Sequence, residues 1–395
     1  MSVIDTHSLS IGRPRIVRGR LLCAALLVLA PLAHAWAAPY LPGNDAQVLA
    51  ELPTGARHSS LATREITGTR LDIALPLAQF YISRARATGD LRFLGYAEAI
   101  LAPWMSRADV PPQVVVLHAT ILQSRHLFNA SLTELDRALA KTPNDAQAWL
   151  TRATVLRVLG RYEEAEASCQ RLSAAADPAI TTLCVQSLRG LTGQLKGAYA
   201  AIAALPQQAL PPEARAWRYS ELGEMAERLG DEQAAEHWLR EGLAVAPDDF
   251  YMRAACADVL LRQGRAAETL QLLAGYESME PMLLRIAIAH KLLHDPSSAH
   301  SEALLSSAFT VEQQRGDAVH RREQARFLLD VAWQPTAALS AARENWQLQR
   351  EPEDLLILLR AAQAAHQPKA GDPAWEFLKQ KRLQDARLAP YEAVR

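Results

Sequence analysis

The sequence predicts an all-α fold, an α-solenoid (superhelix) of stacked helix-turn-helix hairpins. The first observation is composition: the 395-residue chain is rich in Ala, Leu, Arg and Glu and only 6% aromatic, and such side chains lose little freedom in a helix. The second is that small residues recur in pairs at a fixed separation, with a turn signal between them. The third is that whole units of this kind recur along the chain, which indicates a repeat architecture.

The repeat is clearest in the middle of the chain. Ala119 and Ala153 lie 34 residues apart, and Ser131 and Ala165 are separated by the same step. Within a unit, the two small positions are twelve residues apart. The pairs at this spacing are Ala119–Ser131, Ala153–Ala165, Gly223–Ala235, Ala257–Thr269, Ala287–Ala299, Ala325–Ala337 and Ala362–Ala374.

Each unit is predicted to fold as a helix, a tight turn and a second helix. A turn signal such as Gly160 or Gly264 falls between the two small positions, and apolar residues flank it at helical spacing. Small side chains let the paired helices approach closely, and a proline such as Pro247 ends the second helix. In the first unit, Ala78 and Ala97 are nineteen residues apart, so we expect longer helices or a looser turn there.

This pattern resembles the tetratricopeptide repeat family. The consensus positions of one unit carry Trp149, Ala153, Leu156, Gly160, Tyr162, Ala165, Cys169 and Leu172, and those of another carry Leu222, Gly223, Gly230, Ala235, Leu239, Gly242 and Pro247. The resemblance covers roughly residues 71–380 and is strongest over 112–272. It implies a superhelix in which the first helix of each pair lines a concave groove.

The N-terminus differs from the rest of the chain. Four arginines between residues 13 and 20 precede the apolar run 21–33, and alanines follow at cleavage-like positions, which predicts a secretory signal peptide over 1–37. The apolar run is too short to span a bilayer comfortably, so we expect no membrane span in the mature chain and a periplasmic or secreted location, with an uncleaved anchor as the alternative. The predicted organisation continues with an extended leader at 38–68, about eight or nine hairpins at 69–383 and a C-terminal cap or tail at 384–395.

Charge and cysteine content limit the function further. Removing residues 1–35 takes away four arginines and Asp5, so the net charge changes from -1 to -4, and no basic face indicates a nucleic-acid partner. Of the remaining cysteines, Cys169, Cys184 and Cys256, the sparse and odd set predicts buried apolar residues rather than a disulfide framework. Pairing of Cys169 with Cys184 stays open, because it requires neighbouring helices to bring them together.

The concave groove is the predicted functional surface. Its lining is polar and mixed in sign, which suits an extended peptide or a helix from another envelope protein, bound without a cofactor. No phosphate loop, nucleophile elbow, CxxC or HExxH motif predicts an enzyme. The predicted function is therefore a non-enzymatic periplasmic protein, an envelope scaffold or assembly accessory, that mediates protein–protein interaction through this groove. The predicted groove residues are Gln113, Thr120, Gln123, Gln147, Thr154, Arg157, Trp217, Glu224, Glu227, Arg228, Tyr251, Asp258 and Arg262.

The alternative is a metal-binding or catalytic envelope protein that uses the solenoid as a chassis. His290 and His294 lie one turn apart on a helix, as two imidazole ligands would, but no acidic residue is obviously positioned to complete a site with them. The segment 319–327 is a short basic face that solvent would ordinarily cover. Neither feature identifies a partner, and the oligomeric state stays open.

Overall fold

The computed structural model describes residues 67–315 and 320–392. The chain divides into two compact units, Met1–Ala56 and Arg57–Arg395, of which the first lies wholly outside the described ranges. The predicted signal peptide and nearly all of the predicted leader therefore lie outside the described residues as well.

The described ranges contain nineteen α-helices and no strand, which confirms the predicted all-α solenoid. Nine successive pairs form helical hairpins. The pairs are α1 (Leu71–Thr88) with α2 (Arg92–Met105), α3 (Pro112–Ser124) with α4 (Phe128–Lys141), α5 (Ala146–Val158) with α6 (Tyr162–Arg171), α7 (Pro178–Arg189) with α8 (Leu195–Ala203), α9 (Pro212–Leu229) with α10 (Glu232–Val245), α11 (Phe250–Arg262) with α12 (Ala266–Leu272), α13 (Glu280–Leu292) with α14 (Ser298–Arg315), α15 (Arg321–Asp330) with α16 (Pro335–Leu348), and α17 (Pro352–Ala364) with α18 (Asp372–Lys381). A short helix, α19 (Ala389–Glu392), follows them. Of these helices, none is both long and apolar enough to cross a bilayer.

The small paired residues act as the sequence predicts, because they let the two helices of a hairpin touch. Ala153 and Ala165 are buried in the third hairpin. In the fifth, a Cβ on Gly223 would lie 2.7 Å from the side chain of Leu239. In the second, the Ser131 hydroxyl donates a hydrogen bond of 2.8 Å to the Ala119 carbonyl, so its polar group is satisfied inside the contact.

The tight turns between paired helices use a left-handed residue. Gly160 occupies it in the third hairpin with φ of 72°, a conformation that costs glycine nothing. Histidine occupies it in three other hairpins, with φ of 57° at His126, 54° at His294 and 55° at His366. His294 therefore forms an exposed turn after α13 rather than extending that helix.

The last two hairpins pack back against the middle of the solenoid. One apolar core joins buried residues between 128 and 191 to buried residues between 325 and 388. At its edge the Tyr162 hydroxyl donates to the Arg350 carbonyl at 3.0 Å, and the Arg350 amide donates to the Val158 carbonyl at 2.8 Å. The described part of the predicted tail takes part, since Leu388 is buried in this core. We call this contact between the middle and last hairpins the closure.

Helices α6 and α7 bring together the two cysteines whose pairing the sequence left open. Cys169 and Cys184 are buried, their Cα atoms lie 5.5 Å apart, and they form a disulfide. Fifteen residues separate them in sequence, a loop for which a cross-link stabilises a fold by about 3 kcal/mol. Cys256 is free and buried, and its burial raises the pKa of the thiol to about 11.

Candidate functional site

The closure turns the open groove into a chamber of about 890 Å³. First helices of the hairpins line most of it, namely the end of α3 with α1, α5, α9, α11, α13, α15 and α17, together with the start of α2 and the last helical segment. Ten basic and seven acidic side chains lie in its wall. The chamber is therefore a charged space, although the hairpins around it pack through apolar cores.

Seven of the thirteen predicted groove residues line this chamber. They are Arg157, Glu224, Glu227, Arg228, Tyr251, Asp258 and Arg262. The other six do not line it. Gln113 and Gln147 are exposed, and Gln123 is half-buried. The hydroxyls of Thr120, which is buried, and Thr154 donate to the carbonyls of Val116 and Leu150, and the Trp217 indole donates to Glu221. The two threonines bond carbonyls of their own helices, so these hydroxyls are already used locally.

Arg157 connects three helices at one side of the chamber. Its guanidinium donates to Glu221 and, at 2.9 Å, to Glu224 of α9, and it lies 3.8 Å from Glu351 at the start of α17. The Tyr251 hydroxyl donates to the second oxygen of Glu224 at 2.8 Å. Burial raises the pKa of Glu224 to about 7, although Arg157 acts in the opposite direction. A carboxyl at this position can therefore exchange a proton near neutral pH.

A second group of ion pairs centres on Asp258 of α11. Its carboxylate lies 2.5 Å from Arg285 of α13 and 2.6 Å from Arg326 of α15. Burial alone would raise the pKa of Asp258, but the two guanidiniums hold it well below its usual range. Arg326 also contacts Asp330, which pairs with Arg360 of α17 at 2.5 Å. These pairs tie four successive first helices together along the chamber wall.

A third group includes the predicted tail. Arg387 donates to Glu353 of α17, pairs with Asp385 at 2.6 Å and lies 3.4 Å from Glu227 of α9. Glu227 also pairs with Arg262 at 2.5 Å. The wall thus contains residues that carry no groove signal in the sequence.

Sequence reasoning missed Glu221, Arg285, Arg322, Arg326, Glu351, Glu353 and Arg387. A usable signal was present for two of them, because Arg322 and Arg326 are four residues apart and so share one face of a helix. They belong to the segment 319–327 that was interpreted as solvated, but Arg322 pairs with Asp354 at 2.6 Å and lines the chamber.

Two arginines in the wall have no carboxylate partner among the described residues. Arg86 of α1 lines the chamber without an ion pair. Arg228 is 3% exposed, and its guanidinium donates to the Gly190 carbonyl at 2.7 Å while its Nε atom has no partner within the described ranges. Burial lowers the pKa of Arg228. Other wall arginines are paired with acids that lie just behind the lining, as Arg157 is with Glu221 and Arg322 with Asp354. The unpaired positive charge of the chamber is therefore that of Arg86 and Arg228.

The opening of the chamber carries apolar side chains. Leu91, Leu292 and Trp333 line it and also remain exposed, Trp333 by 70%. Trp333 has φ of 50°, an uncommon conformation for a bulky residue. An exposed aromatic beside a charged cavity is a typical contact point for a ligand.

The histidines proposed as metal ligands do not converge. His290 lies 3.4 Å from the Ser301 hydroxyl, and His294 is exposed in its turn. Within the described ranges, neither belongs to a group of three possible metal ligands.

Comparisons with known proteins agree with this architecture. A tetratricopeptide repeat family model matches residues 134–167, the span that contains Gly160. No curated protein matches the chain. Helical-repeat folds present extended concave surfaces to other proteins, so the chain has the architecture of an interaction scaffold.

Several solved structures show similarity at low identity. A thermophilic TPR protein of Thermus thermophilus is 20% identical, with 48% of this chain and 98% of that chain covered and a TM-score of 0.38. The type IV pilus biogenesis factor PilW is 20% identical, with 51% and 96% covered and a TM-score of 0.40. The APC/C hetero-tetramer Cut9–Hcn1 is 16% identical, with 78% and 59% covered and a TM-score of 0.42. The family model thus matches one repeat, residues 134–167, and the nine hairpins of the described ranges have the helix-turn-helix architecture of such repeats.

Proposed function

We propose that this protein is a non-enzymatic envelope scaffold, exported to the periplasm or secreted, that binds a segment of another envelope protein in the chamber. The observation that carries the proposal is the chamber itself, whose wall consists mostly of first helices and whose charged groups are already fixed in position by one another. Fixed charges lower the ordering cost of binding.

The size of the chamber favours a short, extended segment over a folded domain. A volume of about 890 Å³ falls within the range of about 300–1,000 Å³ that is typical of pockets for small ligands. The last hairpins occupy part of the groove that a long helix would need. Arg86 and Arg228, which have no carboxylate partner among the described residues, favour an acidic segment.

Site-specific cross-linking tests this binding. A photoreactive residue at position 333, at the opening of the chamber, should capture a defined envelope protein in living cells. The matched control is position 80, because Phe80 is 55% exposed but lies outside the chamber. Capture of the same proteins from both positions, or of none from position 333, would argue against a binding role for the chamber.

Export is a separate part of the proposal and has separate support. The N-terminal composition predicts a signal peptide, and Cys169 and Cys184 form a disulfide of the kind that persists in oxidising compartments. Cell fractionation followed by thiol alkylation and mass spectrometry tests it. We expect a chain that begins near residue 36 or 38, is found outside the cytoplasm and carries an intact disulfide. A full-length, reduced, cytoplasmic chain would contradict export and leave the chamber proposal standing.

A further inference from the structure

Three possible metal ligands converge beside the chamber from different elements. Glu280 lies at the start of α13, Glu312 lies in the second half of α14, and His320 immediately precedes α15. The His320 Nδ1 atom is 2.6 Å from a Glu312 oxygen and 3.2 Å from a Glu280 oxygen. One ligand atom from each residue falls within 4.8 Å of the others, and all three residues are half-buried.

We propose that Glu280, Glu312 and His320 bind one divalent transition-metal ion, with Zn²⁺ as the first candidate. One imidazole nitrogen and two carboxylate oxygens form a donor set of the kind that Zn²⁺ accepts, whereas Ca²⁺ and Mg²⁺ prefer oxygen alone. This proposed site shares no residue with the pair His290 and His294.

The two ligand-atom separations that involve His320 are close to those of a metal centre. Bonds of about 2.0–2.2 Å around a tetrahedral ion place neighbouring ligand atoms roughly 3.3–3.5 Å apart. The 3.2 Å separation between His320 and Glu280 is close to this distance. The 2.6 Å separation between His320 and Glu312 is a hydrogen bond, so Glu312 must withdraw by less than about 1 Å as the metal replaces the Nδ1 proton.

The charge balance of the cluster favours a divalent ion over a proton alone. Within the described ranges, His320 is the only cation paired with Glu280 or Glu312. A protonated imidazole offsets one of the two negative charges, and the buried Glu280 oxygen that faces it receives no hydrogen bond from a described residue. The nearby Arg285 and Arg322 are paired with Asp258 and Asp354 respectively. A divalent ion would offset both carboxylates at once.

Three protein ligands would leave a coordination position open on such an ion. His320 lines the chamber, so an ion bound to it would lie beside the space in which a ligand could bind. The site would then add a positive point to a wall in which Arg86 and Arg228 already have no carboxylate partner.

Metal titration of the purified full chain tests the proposal. After chelation and dialysis, the wild-type protein should bind close to one Zn²⁺ per chain by calorimetry and by elemental analysis. His320→Ala, Glu312→Gln and Glu280→Gln should each weaken binding at least tenfold, and the two isosteric Gln variants should preserve the circular dichroism spectrum. Affinity should also rise between pH 6 and pH 8, because the metal must displace the Nδ1 proton.

The matched controls are His290→Ala and His294→Ala, which remove histidines outside the cluster and should leave binding unchanged. Absence of stoichiometric Zn²⁺ in the wild type would overturn the proposal and leave a protonated-histidine ion pair only. Equal binding by wild type and Glu280→Gln would overturn it as well. Neither result would bear on the cross-linking at position 333.

Discussion

Two interfaces within the described chain hold neighbouring parts of the solenoid together in different ways. Between the first two hairpins the core is assembled from residues 74–148, which are neighbours in sequence, and it consists of Ala, Val, Leu, Ile and one Trp. At the closure the core joins hairpins that are far apart in sequence, as in the bond between Tyr162 and Arg350. The first interface repeats along the chain, whereas the second occurs where the solenoid meets itself.

The closure also differs in chemistry. Phe377 contacts both Tyr162 and Trp346 edge-on, with ring centroids 5.7 and 5.4 Å apart. Hydrogen bonds to main-chain atoms and ion pairs to the chamber wall accompany these rings. The comparison teaches that contacts between neighbouring repeats build the solenoid, whereas contacts at the closure convert its groove into a chamber.

The largest expected effect comes from removing the aromatic anchor of the closure. Tyr162→Ala deletes a ring that is 1% exposed, and such truncations cost about 3–5 kcal/mol. Tyr162→Phe keeps the ring and removes only the bond to Arg350, so we expect about 1 kcal/mol. Urea unfolding measures both. Equal losses for the two variants would mean that the hydroxyl, not the ring, holds the closure.

A pH dependence should distinguish the closure from the local interface. His126 lies in the turn of the second hairpin, where its Nδ1 is 3.4 Å from the Gln349 amide of the closure. Burial, and then the charge of Arg322, lower the pKa of His126 to about 4 from 6.5. The folded state therefore disfavours the proton, so stability is complete above pH 6.5 and falls as the pH drops towards 4, by about 3 kcal/mol at most.

His126→Asn should flatten this decline, because Asn tolerates the left-handed turn but does not titrate. The control is His294→Asn, the same exchange at the corresponding turn of another hairpin, where the side chain is exposed. Unfolding at a series of pH values makes the comparison. A decline that persists in His126→Asn would assign it to other groups.

A pair of glycines isolates the contact at the closure from the strain of the turn. Gly160 and Gly264 share nearly the same φ, 72° and 73°, but a Cβ on Gly160 would lie 2.7 Å from the Phe377 ring, whereas one on Gly264 meets nothing within 4 Å. We expect Gly264→Ala to cost about 1 kcal/mol through strain, and Gly160→Ala about 2 kcal/mol more through overpacking. Equal unfolding midpoints would show that Phe377 yields without cost.

These residues also show which features of the fold and the site can be predicted from the sequence. Gly160 and the pair Ala153 and Ala165 are predictable because each hairpin needs a left-handed turn and a close approach within 34 residues. Arg157 and Asp258 follow from the inner face of first helices. Thr120 and Trp217 share that register but lie outside the chamber.

The closure itself cannot be predicted from the repeat pattern of the sequence. It depends on the small rotation between successive hairpins, summed over several of them, and irregular units change that sum. The 18-residue α1 and α14 are two such irregularities, compared with 13 residues in α5. Arg387 and Glu227 meet across 160 residues with no motif to connect them, so only the folded chain reveals their contact.

The smallest expected effect concerns the exposed salt bridges. Lys381 of α18 reaches Glu163 at 2.6 Å across the closure, but Glu163 is 72% exposed, so Glu163→Gln should cost about 0–1 kcal/mol. The adjacent Glu164 forms a bridge of the same length with Arg161 inside one hairpin, and Glu164→Gln is the matched control. If the free energies of unfolding of the two variants agree within a few tenths of a kcal/mol, exposed charge stabilises the two interfaces equally. The difference between the two interfaces then lies in the buried rings and the chamber wall. A much larger loss of unfolding free energy in Glu163→Gln would show that Lys381 is a principal contact of the closure. It would contradict the view that buried rings such as that of Tyr162 hold the closure together.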